Sequence, residues 1–201
     1  MNKPFRVLCA VLLLMMLCIT ACGTEPEPVK SPDPTPGKSG NEVISKGVGF
    51  VITLGKSSDG TPRYDYTVTA NDGTVIESAS CPVQPKVAPL SKTLLGFRFS
   101  NDERSWCRYY DIEKGVASPS YFGAFWDNGS LVAYNDYQKN GVLTVCDIFD
   151  PEGFRSEAKL PAGASELTVT AAVPSEDGSV LTVEYMSDLS ADRWTAELAL
   201  K

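Results

Sequence analysis

The sequence predicts an all-β, antiparallel domain. Three observations carry that expectation: apolar residues recur at every second position, Asp-Gly and Asn-Gly pairs separate them, and no helical periodicity lasts more than a turn or two. Successive side chains of a strand point to opposite faces, so a period of two marks a strand with one face buried. In "YDYTVTA" Tyr64, Tyr66, Val68 and Ala70 share one face, while Asp65, Thr67 and Thr69 share the other. "LTVTA" from Leu167 repeats the pattern. Leu181, Val183 and Tyr185 alternate with Val180, Thr182 and Glu184, and Trp194, Ala196, Leu198 and Leu200 fall together in "WTAELAL".

The separators are Asp59-Gly60, Asp72-Gly73, Asn128-Gly129, Asn140-Gly141 and Asp177-Gly178. Each pair tolerates the positive φ that a tight hairpin turn demands. A calcium loop would need carboxylates at alternate positions around one ion, D-x-[DN]-x-[DN]-G, and none of these turns fits. The periodic segments number about eleven to thirteen.

A weak repeat underlies them. "WCRYYDIEKG" at 106–115 and "TVCDIFDPEG" at 144–153 both run from an aromatic or cysteine into Asp-Ile and an acidic turn. The pairs Asp111-Ile112 and Asp147-Ile148 lie 36 residues apart, and "NGSLVAY" at 128–134 recurs as "DGSVLTVEY" at 177–185. This spacing is close to a propeller-blade period, so the expected architecture is propeller-like with about four irregular blades. A two-sheet β-sandwich is the alternative.

The chain opens differently. Lys3 and Arg6 precede an apolar run from Val7 to Ile19, which is too short to span a bilayer as a helix and suits an export signal. The small pair Thr20-Ala21 stands directly before Cys22, and "ITAC" resembles the lipobox of bacterial lipoproteins. That resemblance implies a diacylglyceryl thioether on Cys22 and cleavage before it, with residues 1–21 as signal peptide. From Cys22 to Asn41 the chain carries Pro26, Pro28, Pro32, Pro34 and Pro36 with few apolar side chains. Such a segment buries too little to offset its ordering entropy and favours an extended spacer. Residues 42–201 are then expected to form a single all-β domain. Two or more acyl chains would hold it on the extracytoplasmic face of the cell membrane.

Charge and composition exclude whole classes of function. The formal net charge is −7, and losing residues 1–21, with two basic residues and no acidic one, would make it −9. Nucleic acid is not an expected partner, because its recognition needs clustered Lys and Arg. The chain has no histidine, which removes the Ser-His-Asp and Cys-His constellations and imidazole metal ligation. No metal site or cofactor is expected.

With Cys22 acylated, Cys81, Cys107 and Cys146 remain. Outside the cytoplasm three thiols allow one disulfide of undetermined pairing, and the other reading is small buried strand residues.

Candidate binding residues come from an aromatic concentration: nine of the 19 aromatics fall in the 32 residues from Trp106 to Tyr137. Trp106, Tyr109, Tyr110, Tyr121 and Trp126 lead that set, with Trp126, beside a turn, the first expected at the surface. Such rings could form a face for a protein or glycan ligand, or they could pack the sheets. For catalysis without histidine, paired carboxylates remain, as in glycoside hydrolysis. Asp111, Glu113, Asp127, Asp136, Asp147 and Asp150 supply the type, but no spacing defines a pair; Asp111 and Asp147 are expected to bond turn amides instead.

The span from Gly47 to Lys201, above all "CRYYDIEKG", "LVAYND" and "CDIFD", resembles a group of uncharacterised β-propeller-like lipoproteins of Gram-positive gut bacteria. The resemblance implies the architecture and the anchor, and it supplies no activity and no functional residue. The expectation is therefore a membrane-anchored, non-catalytic binding or scaffolding module, with a carboxylate-dependent extracytoplasmic glycan hydrolase as the alternative.

Overall fold

The computed structural model describes residues 41–102, 104–135, 139, 141–160, 167–187 and 190–201. The chain divides into two units, Met1–Ser39 and Gly40–Lys201, and all described residues belong to the second. The signal peptide, Cys22 and the proline-rich spacer up to residue 40 lie outside the described residues, as do Asp136, Tyr137 and Asn140.

The domain is all-β. Sixteen strands form four antiparallel sheets, and no helix occurs among the described residues. The first sheet is β1 (Glu42–Gly47), β2 (Phe50–Lys56), β3 (Pro62–Thr69) and β4 (Val75–Cys81), in that order. The second is β5 (Lys86–Pro89), β6 (Leu94–Ser100), β7 (Ser105–Asp111) and β8 (Val116–Ala117), with β9 (Tyr121–Phe122) also paired to β7. The third is β10 (Ala124–Asp127), β11 (Leu131–Asn135), β12 (Val142–Asp147) and β13 (Arg155–Lys159). The fourth is β14 (Leu167–Pro174), β15 (Val180–Ser187) and β16 (Ser190–Ala199). Four sheets replace the two of the sandwich alternative. The surplus over the expected strand count lies in β5, β8, β9 and β10, which are too short to show a period.

Apart from β9, which returns to β7, every sheet is a meander of neighbouring strands, as short turns dictate. Gly60, Gly73, Gly129, Gly141 and Gly178 all take positive φ. At Gly60 (φ 84°) the turn is further fixed by Asp59, whose Oδ1 accepts from Ser57 Oγ, Thr61 N and Thr61 Oγ1. Asp177 holds the β14–β15 turn identically through Ser175 Oγ, Ser179 N and Ser179 Oγ.

Three apolar cores join successive sheets. The first is Ile52, Tyr66 and Val68 against Leu95, Phe97, Phe99, Tyr110 and Ile112. Leu94, Cys107, Tyr109 and Tyr121 meet Val132, Cys146 and Ile148 in the second. In the third, Leu131, Ala133, Leu143 and Val145 meet Leu181, Val183, Tyr185 and Leu198. Parity along the strands explains the division. In β7, Trp106 and Tyr110 face the first sheet and Cys107 and Tyr109 face the third, so one strand serves two cores. The same split in β12 sends Cys146 one way and Leu143 and Val145 the other.

The 36-residue repeat is structural. Leu94 pairs with Asp111 as Leu131 pairs with Asp147. One residue beyond each pair, Ile112 N donates to Thr93 O at 2.8 Å and Ile148 N donates to Ser130 O at 2.9 Å. Leu200 N donates to Ser179 O at 2.7 Å in the fourth sheet, and Thr69 N to Gly49 O at 2.8 Å in the first. Upstream, Ser91 Oγ accepts from the amides of Thr93 and Leu94, as Asn128 Oδ1 does from Ser130 and Leu131.

Candidate functional site

The structure separates the aromatic candidates. Tyr109, Tyr110 and Tyr121 are at most 3% exposed, so their rings belong to the cores rather than to a surface. Tyr121 sits on β9 and its hydroxyl donates to Ile148 O at 2.7 Å, tying the second sheet to the third. Burial first, then Cys107, pushes the Tyr109 phenol upward, while the Tyr66 phenol rises to about 12 through burial and its bond to Glu77.

Trp106 is half-buried, with its ring stacked on Phe99 at 5.0 Å and 4° between planes. Phe122 lies across the strand pair from it, 6.4 Å between centroids, and is 45% exposed. Phe99, Trp106 and Phe122 thus form a ladder that runs from core to solvent beside the first–second interface. Trp126, like Trp106, is half-buried, and it packs against the third core. The register shift between Ala124 and Trp126 lets both Phe125 and Trp126 lean on that core.

Two part-buried ion-pair clusters flank the second sheet, one on each face. On the face toward the third sheet, Arg98 Nη2 donates to Asp127 Oδ2 at 2.6 Å, Tyr109 Oη donates to the same carboxylate at 3.1 Å, and Cys107 Sγ donates to Tyr109 Oη at 3.3 Å. On the other face Glu77 accepts from Tyr66 Oη at 2.8 Å and from Arg108 Nη1, whose Nε donates to Ser118 O at 3.0 Å. Neither cluster stands out in the sequence, because the partners are 29 and 31 residues apart. The only local sign is a charge alternating with buried rings, as Arg98 does between Phe97 and Phe99.

Asp111, Asp147 and Asp150 also bond turn amides. Asp111 Oδ1 accepts from the amides of Glu113 and Lys114, and Asp147 Oδ1 from those of Phe149 and Asp150. Asp150 accepts from Gly153 N, and Lys201 Nζ donates to Asp147 Oδ2 at 2.8 Å. Asp111 and Asp147 close their strands as the sequence suggests. Among the described residues, no group of three or more Cys, Asp or Glu side chains could hold a metal ion.

Cys81, Cys107 and Cys146 are all free, so the structure contains no bridge among them. Cys81 packs in the first core, whereas Cys107 and Cys146 pack in the second. Burial raises all three thiols, Cys107 to about 11, opposite to what a nucleophilic thiolate needs.

No protein-family model, curated protein or solved structure matches the chain.

Proposed function

We propose that this protein is a lipid-anchored, extracytoplasmic binding or scaffolding module, in which the four sheets follow one another as irregular propeller-like blades. The ring pair Trp106 and Phe122 carries the binding part of the reading. A partly exposed aromatic surface, its two rings tilted 36° to each other and backed by Phe99, is preorganised for the apolar face of a sugar or for a peptide side chain. The propeller-like reading rests on the second and third sheets, which are covered on both faces as blades are, and on the strand closure repeated from sheet to sheet. The anchor rests on "ITAC" and the proline-rich stretch after it.

The test has two arms. Cys22→Ala should abolish incorporation of labelled fatty acid and release the protein from the membrane fraction; continued membrane retention without label refutes the anchor. Trp106→Ala and Phe122→Ala, screened against glycan and peptide arrays beside the parent protein, should each lose the parent's ligands. A parent that binds nothing, or a ligand set unchanged in both variants, refutes the binding site.

A further inference from the structure

The outer edge of β16 differs from every other sheet edge in the domain. A free strand edge presents unpaired N–H and C=O groups, and proteins normally blunt it with bulges, proline or brevity. The other edges follow that rule. Register shifts interrupt the edge pairings of β1, β4, β10 and β14. Strand β5 has four residues and ends in Pro89, β8 and β9 have two each, and β13 has five. Strand β16 has ten residues and no proline; a register shift at Met186/Ser187 breaks its pairing near one end, but from Arg193 to Ala199 its register with β15 runs unbroken over seven residues. Among the described residues no strand pairs along its far side.

Hydrogen-bond parity shows which groups are offered. Leu200 N donates to Ser179 O, and the unbroken register carries that alternation back through Leu198, Ala196 and Trp194, which bond to β15. Ala199, Glu197, Thr195 and Arg193 therefore turn their amides and carbonyls outward. Ala199 N agrees, since its partner is Ser156 Oγ of β13 at 3.0 Å. That leaves three consecutive outward positions: Arg193, Thr195 and Glu197.

These three are self-complementary under a two-fold axis. Antiparallel pairing with an identical strand about Thr195 sets Thr195 opposite Thr195 and Arg193 opposite Glu197, twice. Charges on an edge strand ordinarily repel a copy; here their opposite signs and equal distance from Thr195 turn them into cross-strand pairs. All three side chains are exposed on the outer face, and among the described residues Arg193 has only a 4.0 Å contact with Glu184 to give up. We propose that β16 is a homodimer edge: two copies join β16 to β16 in this register, merging the two three-stranded fourth sheets into one of six strands.

Sedimentation velocity on the full chain in mild detergent, over a concentration series, tests this together with amide hydrogen exchange. The parent should dimerise, and the amides of Arg193, Thr195 and Glu197 should gain protection as concentration rises. Arg193→Glu and Glu197→Arg should each weaken the dimer at least ~10-fold, because like charges then oppose one another, and the double variant should recover to within about threefold of the parent. Three results each overturn the proposal: a parent monomeric throughout with those amides unprotected, a dimer indifferent to both single variants, or a double variant as weak as the singles.

Discussion

Replacing Tyr121 with phenylalanine removes one hydroxyl that ties two sheets, through Ile148 O and, at 3.3 Å, Asp147 O. The ring of Tyr121 is 3% exposed and packs 6.1 Å from Tyr109 and 5.3 Å from Tyr134. Phenylalanine keeps that packing and opens no cavity, so the change is the hydroxyl alone. That hydroxyl donates to Ile148 O at 2.7 Å, just past the end of β12, at a residue that is fully buried. Its removal strips a buried carbonyl of a partner, which costs about 1–3 kcal/mol rather than the ~1 kcal/mol net worth of an average hydrogen bond. For a domain of this size each kcal/mol moves the midpoint by about 2–4 °C, so Tm should fall by about 2–12 °C. Urea unfolding followed by tryptophan fluorescence should show a lower midpoint with unchanged slope, since the exposed surface is the same. An unchanged or higher midpoint would refute the idea that this hydroxyl ties the second sheet to the third.

Thr144 is fully buried on β12, and its hydroxyl has no partner among the described residues, so Thr144→Val should stabilise the domain by about 1 kcal/mol in urea titration. Gly60→Ala should cost about 1–2 kcal/mol from backbone strain alone, since an added Cβ there would meet nothing within 4 Å; Gly60→Asn, which tolerates the left-handed region, should cost less. Turn hydrogen bonds hold Asp59 and Asp177 at about 2, below the usual 3.8. Their folded forms resist protonation longer than the unfolded chain does, so their contribution is complete above the ordinary carboxylate value and is lost as pH falls through about 2. Urea midpoints measured down to that pH should decline less steeply in Asp59→Asn and Asp177→Asn than in the parent.

The strands were legible wherever one face is polar. Tyr66 and Val68 are buried on the face opposite Asp65 and Thr67, as alternation requires, and Leu181, Val183 and Tyr185 likewise. The turns and the 36-residue repeat were legible too, because each rests on local chemistry: Asx side chains bonding amides two and three residues on. What alternation could not disclose is which ring reaches solvent in a strand apolar on both sides. Trp106, Tyr109 and Tyr110 look alike in "SWCRYYD", yet only Trp106 is left partly exposed. The packing of Trp126 against the third core is hidden for a different reason, since a register shift moves a side chain by one place and leaves no mark in residue type. The partners Asp127 and Glu77 depend on strands meeting across 29 and 31 residues, which no spacing encodes.

The three cores lie only between sheets that follow one another in the chain, so among the described residues each sheet depends on its immediate neighbours. A molecule coupled in that way behaves as a short one-dimensional array, its cohesion a sum of adjacent interfaces. Loss of order then propagates stepwise: the first or fourth sheet can detach by giving up one interface, whereas the second or third must give up two. The deepest protection from solvent exchange should sit in β7 and β12, and duplication of one meander would lengthen the array without redrawing its other interfaces.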